Sequence, residues 1–90
     1  MPDLPTTQDT AATLRDIIVA VLKLDMPPGA ITAATNLHEL GLESMSVVEL
    51  LTHVEIAFDI VVDVEDLSVE LFARFDTLLG FLEAKIDGSR

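Results

Sequence analysis

The chain of 90 residues contains no cysteine, tryptophan or tyrosine. Without cysteine it can form no disulfide, no thiolate metal site and no cysteine nucleophile. Basic residues are scarce as well, since five Lys and Arg oppose 16 Asp and Glu for a net charge of −11. Nucleic acids and anionic membrane surfaces would repel such a chain, so we expect it to bind neither. Because no run approaches the roughly 18 apolar residues of a membrane span and no leader pattern opens the sequence, we expect a soluble cytoplasmic protein.

Positive charge is missing from the middle of the chain. No Lys or Arg lies between Lys23 and Arg74, although ten Asp and Glu residues lie there. One interpretation is that this acidity serves solubility alone. The other is that it steers the protein towards partners with basic docking surfaces.

The length and composition favour one folded domain. Hydrophobic residues make up 50% of the chain, which is enough for a compact core, and 90 residues leave no room for a second one. We therefore expect a single domain over residues 1–90. The segments 1–7 and 87–90 are expected to be frayed termini.

The first helical pattern is followed by a long connection. Apolar residues recur at three- and four-residue spacing over Leu14–Leu22, which predicts an amphipathic helix capped by Asp9 or Thr10. A Pro-Pro-Gly sequence then ends the helix. Segment 26–43 has no helical period, but it contains apolar residues that would anchor it across a helical bundle: Ile31, Leu37, Leu40 and Leu42.

The second helix is predicted over Ser44–Phe58 and has two contrasting faces. One face is wholly apolar and is expected to meet the core: Val47, Leu50, Leu51, Val54 and Phe58. The other mixes polar and hydrophobic residues, as partner-docking surfaces do: Met45, Val48, Glu49, Thr52 and Ile56, with Glu55 beside them. The alternative is that Met45 and Ile56 are scattered surface residues without a role.

The rest of the chain completes an all-α pattern. The strand-like run Ile60–Val64 has no partner strand, so we expect an extended loop there that packs its valines inward. Ser68 is predicted to cap a short helical turn through Phe72, and the last helix is predicted over 74–86. Gly80 inside this helix either weakens it or marks close packing. We expect a small four-helix bundle of three main helices and one short helix, with a long loop between helices 1 and 2.

Little in the sequence indicates catalysis. His38 and His53 lie fifteen residues apart, and neither has a partner at metal-ligand spacing. A minimal serine hydrolase is the only enzyme to consider, and no nucleophile elbow or oxyanion motif supports it. The acidic run 63–66 lacks the pattern of a calcium loop. We therefore expect neither a catalytic residue nor a metal site.

Ser44 stands at a chemically distinctive place. It follows a Leu-Gly-Leu turn and opens the second helix. The free amides and the dipole at a helix start create positive potential, which suits a phosphate ester on the hydroxyl. The alternative is a plain N-cap, because Ser is a preferred capping residue.

Residues 40–45, which read Leu-Gly-Leu-Glu-Ser-Met, resemble the acyl carrier protein family. The hallmark of that family is Leu-Gly-x-Asp-Ser-Leu, followed by a helix that ends in Glu-x-x-Phe. Glu55 and Phe58 fill the closing pattern, and the likeness extends over residues 14–86. The sequence departs from the hallmark at Glu43, where Asp is usual, and at Met45, where Leu is usual. Carriers of activated amino acids and hydroxy acids also show Met at that position.

The resemblance implies a non-catalytic carrier that bears a 4′-phosphopantetheine arm on Ser44. A phosphopantetheinyl transferase would attach the arm from coenzyme A in a magnesium-dependent reaction. The loaded arm would shuttle acyl or aminoacyl thioesters between biosynthetic enzymes. The implied partners are this transferase, a loading ligase or transferase, and downstream enzymes with basic docking surfaces. They would dock on Glu43, Met45, Val48, Glu49, Thr52, Glu55 and Ile56.

The cargo is left open by the resemblance, because fatty acid, polyketide and aminoacyl or peptidyl carriers share the fold. The length and the initial methionine suggest a freestanding, monomeric carrier. Met45 and the absence of basic residues in the middle of the chain favour a specialised secondary-metabolite or aminoacyl pathway over fatty-acid synthesis. The alternative from another class is a helical protein-interaction module that kept the fold without the arm.

Overall fold

A computed structural model describes residues 7–88, with side chains from residue 10 onward except at position 64. Its three long helices are α1 (Thr7–Leu22), α2 (Ser44–Phe58) and α3 (Phe75–Gly88). Residues 7–88 contain no strand, and segment 60–63 is a loop as predicted. Val64, however, begins a 3₁₀ turn, and Val61 is 73% exposed, so the expectation that the valines of this run pack inward was wrong for Val61. The prediction of an all-α bundle is confirmed. None of the helices in the described range is both long and apolar enough to cross a bilayer.

Short 3₁₀ turns lie in the two connections between the long helices. The connection from α1 to α2 contains η1 (Pro28–Ala30) and η2 (Leu37–Leu40). The connection from α2 to α3 contains η3 (Val64–Asp66) and η4 (Glu70–Phe72). The short helix that the sequence predicts before the last long one is therefore the 3₁₀ turn η4. The Oγ atom of Ser68 accepts a hydrogen bond from the Leu71 amide at 3.2 Å, as expected for a residue that caps this turn.

Helix boundaries follow the prediction closely at α2 and less closely elsewhere. α1 begins at Thr7, and Thr10 is buried inside it, so a cap at residue 9 or 10 was wrong. Its first turn lies before the apolar repeat, which is why the repeat did not reveal it. α3 extends to residue 88, so positions 7, 87 and 88 are helical, whereas 1–6 and 89–90 lie outside the described residues.

The core lies between the three long helices, and α1 packs against both α2 and α3. Residues with side chains less than 2% exposed come from each helix: Leu14, Ile18, Leu50, Val54, Phe75, Leu78 and Leu82. The predicted loop anchors Ile31, Leu37 and Leu42 are buried with them, and Leu40 packs against the cluster. Burial of each such side chain contributes about 1.5–3 kcal/mol, so the long loop is part of the core.

Leu51 corrects the expected core face of α2. The sequence pattern placed it in the core with Leu50 and Val54, but it is only partly buried and lies outside the core cluster. Each helical residue advances the side-chain direction by about 100°. Val54 therefore points within about 40° of Leu50, whereas Leu51 points about 100° away. The core-facing stripe is narrower than the apolar pattern suggested.

The first connection is fastened to two helices by polar contacts. The Nε atom of Arg15 in α1 donates a hydrogen bond to the Ile31 carbonyl at 2.9 Å. The same guanidinium lies over the ring of Phe75 in α3, 4.8 Å from its centroid. The amide of Phe75 donates to the Thr35 carbonyl at 2.8 Å, which satisfies one of the free donors at the start of α3. These contacts fix the segment that leads into η2 and α2.

Candidate functional site

A left-handed turn delivers the chain to the start of α2. Gly41 has φ 99° and ψ 20°, and its amide donates to the His38 carbonyl at 3.2 Å. Side chains other than hydrogen rarely tolerate this conformation, which explains glycine at this position. Buried Leu42 then anchors the turn, and Glu43 is extended with φ −121° and ψ 173°. The helix begins at the next residue, Ser44.

Ser44 presents a hydroxyl that the folded chain does not use. The residue is exposed, and its hydroxyl has no hydrogen-bond partner among residues 7–88. Glu43 occupies the N-cap position without a side-chain cap bond, and its carbonyl accepts the first helical hydrogen bond from the Val47 amide at 2.8 Å. The interpretation of Ser44 as a plain N-cap is therefore wrong. The amides of the first turn remain free to face an anion beside its hydroxyl.

An open groove of about 700 Å³ lies beside this hydroxyl, and Ser44 forms part of its wall. Three segments meet here: η2 with the following turn, the start of α2, and the segment that leads into η4. Most of the wall is apolar, and its apolar residues are Leu42, Val47, Val48, Leu67, Val69 and Phe72. The polar residues of the wall are His38, Glu43, Ser44 and Ser68. The groove can therefore accept an elongated, partly apolar group that begins at Ser44.

No local sequence pattern predicts this groove. Alternation of apolar and polar residues from Leu67 to Glu70 signals a segment with two unlike sides, but it does not reveal which side meets α2. His38 drew attention only as a lone histidine. Its place in the wall follows from the path of the first connection, which no local pattern determines.

The predicted docking residues fall mainly on one exposed face of α2. Met45, Val48 and Ile56 are 78%, 65% and 76% exposed, and Glu49 and Thr52 are exposed between them. Spacings of three and four residues make these side chains neighbours on the helix surface. The hydroxyl of Thr52 donates to the Val48 carbonyl at 2.9 Å, one turn earlier. The face is thus largely apolar, although the chain as a whole is acidic.

Glu55 differs from the other predicted docking residues. It is partly buried, and its Oε2 atom accepts a hydrogen bond from the Val62 amide at 2.9 Å. Its own carbonyl accepts a bond from the Ile60 amide at 3.2 Å. Glu55 therefore holds the loop that follows α2, and Glu49 is the freer carboxylate on the helix.

Comparisons with known proteins agree with this arrangement. Residues 12–83 match the family described as phosphopantetheine attachment site. The fold is similar to the solution NMR structure of a holo acyl carrier protein from Nitrosomonas europaea, with a TM-score of 0.76 and 32% sequence identity. That match covers 86% of this chain and 95% of the other. No curated protein sequence matches this chain significantly.

The local chemistry fits the group that this family carries. A phosphate ester at the Ser44 hydroxyl would lie beside the free amides and the positive dipole of α2. The adjoining groove offers space and apolar contacts to an elongated chain attached through that ester. The chain belongs to the acyl carrier protein family, and its cofactor is a covalently attached 4′-phosphopantetheine.

Proposed function

We propose that the chain carries its arm on the hydroxyl of Ser44 and passes acyl or aminoacyl groups between biosynthetic enzymes. The observation that carries this proposal is the exposed Ser44 hydroxyl, which has no partner in the described range and lies where α2 begins and the groove opens. When attached, the arm supplies a thiol that holds such groups as thioesters, which a chain without cysteine cannot supply itself. The chain acts as a carrier in the cytoplasm and is a substrate, not a catalyst.

Attachment requires one displacement at phosphorus. The Ser44 oxygen forms a bond to the phosphorus of coenzyme A that bears the pantetheine group. The bond from that phosphorus to the nucleotide half of coenzyme A breaks, and the hydroxyl proton passes to a base on the transferase. The free amides at the start of α2 favour the negative charge of the resulting phosphodiester. Glu43 lies immediately before Ser44 and is exposed, so its carboxylate is available to the transferase.

Partner enzymes are proposed to dock on the face that surrounds the attachment point. The docking residues are Glu43, Met45, Val48, Glu49, Thr52, Glu55 and Ile56. Three of them are large exposed hydrophobic side chains, which supports apolar contact at the centre of the interface. Since the carboxylate of Glu55 is engaged by the Val62 amide, we expect Glu49 to be the main charged contact on the helix. A carrier must leave each enzyme, so this docking is weak and fast.

The attachment assay tests the proposal directly. The apo-protein is incubated with coenzyme A, magnesium and a broad-specificity phosphopantetheinyl transferase, and intact mass is measured. We expect the wild type to gain one phosphopantetheine, Ser44→Ala to gain none, and the matched variant Ser46→Ala to gain one. Modification of Ser44→Ala but not of Ser46→Ala would move the site by two residues. Absence of modification in the folded wild type would favour the unmodified interaction module.

A further inference from the structure

The side chain of His38 connects two short turns that both line the groove. Its Nε2 atom lies 2.9 Å from the carbonyl oxygen of Val69, in the turn that leads into η4. The ring also meets the ring of Phe72 edge to face, with centroids 6.3 Å apart and planes at 77°. A carbonyl oxygen can only accept a hydrogen bond, so Nε2 must carry the proton. His38 thus donates from η2 to the segment that leads into η4.

The backbone of His38 is held in place on both sides. Its amide donates to the Oδ1 atom of Asn36 at 2.9 Å, and its carbonyl accepts the Gly41 amide at 3.2 Å. The ring therefore projects from a fixed turn, the same turn that leads to Ser44. His38 is exposed, so its position depends on this fixed backbone and on the contacts of its ring.

The segment that His38 contacts is tied to the core through Leu67 and η4, but by little else to η2. η4 packs closely against α3 and buries Leu71 and Phe72, but its backbone makes little contact with η2. Val69 itself is 75% exposed, so its side chain does not anchor the segment. Among the described residues, the hydrogen bond from His38 is the one that joins η2 to this segment.

We propose that His38 is a positioning residue that holds the turn before η4 against η2 and so fixes the wall of the groove facing Ser44. The consequence of this inference for an attached group rests on the proposed function, because the arm on Ser44 would extend along this wall. The histidine neither touches the transferred group nor takes a proton from it. Its effect is to keep Val69 within reach of whatever is attached at Ser44.

Amide hydrogen exchange of the apo-protein tests, without any attached group, whether His38 holds the turn before η4 against η2. Loss of one hydrogen bond in His38→Ala should speed exchange of the Phe72 and Ala73 amides about fivefold, with Leu82 in α3 unchanged. His38→Gln should restore slow exchange, because its amide nitrogen lies as many bonds from Cα as Nε2 does. His38→Asn is too short and should behave like alanine, and His53→Ala should behave like wild type. Unchanged exchange in His38→Ala, or no difference between the Gln and Asn variants, would overturn the proposal that His38 holds this turn.

NMR of the modified protein tests the consequence for the groove. Attachment at Ser44 should shift the amide resonances of Val48 and Val69 in the wild type and in His38→Gln. In His38→Ala the shift at Val69 should be lost while that at Val48 remains. Equal shifts in both proteins would contradict a positioning role. If the wild type accepts no arm, the proposed function fails, but the exchange experiment on the apo-protein still decides whether His38 holds the turn.

Discussion

Glu55 and Glu49 offer a matched pair for separating stability from docking on one helix. The carboxylate of Glu55 accepts the Val62 amide at 2.9 Å, whereas Glu49 is exposed. A hydrogen bond to a charged group contributes about 1.5–3 kcal/mol, and partial exposure of Glu55 reduces this. We therefore expect Glu55→Ala to lower the free energy of unfolding by about 1–2 kcal/mol. Glu49→Ala should change it by no more than about 0.5 kcal/mol.

Urea denaturation followed by circular dichroism measures both free energies of unfolding. The slope of the free energy against urea concentration should be the same in all variants. The gain in helix propensity and the loss of one negative charge are common to the two alanine variants, so their difference isolates the bond to Val62. Glu55→Gln keeps an acceptor oxygen and should lie between Glu55→Ala and the wild type. Equal stabilities for the two alanine variants would refute the role of Glu55 in holding the loop.

For partner binding we expect the reverse order, with a change at Glu49 having a larger effect than a change at Glu55. Glu49→Lys should slow modification by the transferase through slower association, and the difference from wild type should shrink as salt is added. Glu55→Ala, assayed at a temperature where it is fully folded, should slow modification less than Glu49→Ala does, because the Val62 amide already engages the Glu55 carboxylate. If Glu55→Ala is the slower variant, Glu55 and not Glu49 is the charged docking contact.

Two further pairs test the local geometry. Gly41→Ala forces a side chain into a left-handed backbone and should cost about 1–2 kcal/mol of stability. Gly80→Ala places its Cβ in open space inside α3 and should raise the free energy of unfolding by up to about 1 kcal/mol. A lower free energy of unfolding would show that this position does pack closely. Leu50→Ala should cost about 2–5 kcal/mol, because its side chain is fully buried. Leu51→Ala should cost roughly 1 kcal/mol, and equal losses for the two in urea denaturation would mean that the rotational setting of α2 is wrong.

The sequence predicts α2 best because both of its ends carry local signals. The Leu-Gly-Leu turn precedes Ser44, and the apolar repeat ends at Phe58. α1 was placed less well, since its first turn lies outside the apolar repeat. The engagement of Glu55 depends on how the loop after α2 folds back on the helix. No periodicity in α2 itself contains that information.

The candidate site also has a part that the local sequence predicts and a part that it does not. Ser44 was identified from its residue type, its place at a helix start and the motif around it, all of which are local. The groove was not, because its walls come from segments about thirty residues apart, joined by the contact of His38 with Val69. A lone histidine has no local pattern that reveals a partner carbonyl so distant in sequence.

Attachment at Ser44 is best tested by the intact mass of this chain isolated from the cells that make it, followed by peptide mapping. We expect a population heavier than the sequence by one phosphopantetheine, with or without a carried group. The added mass should map to the peptide that contains Ser44. A chain that is entirely unmodified in those cells, or modified at another residue, would contradict the claim that Ser44 carries the arm.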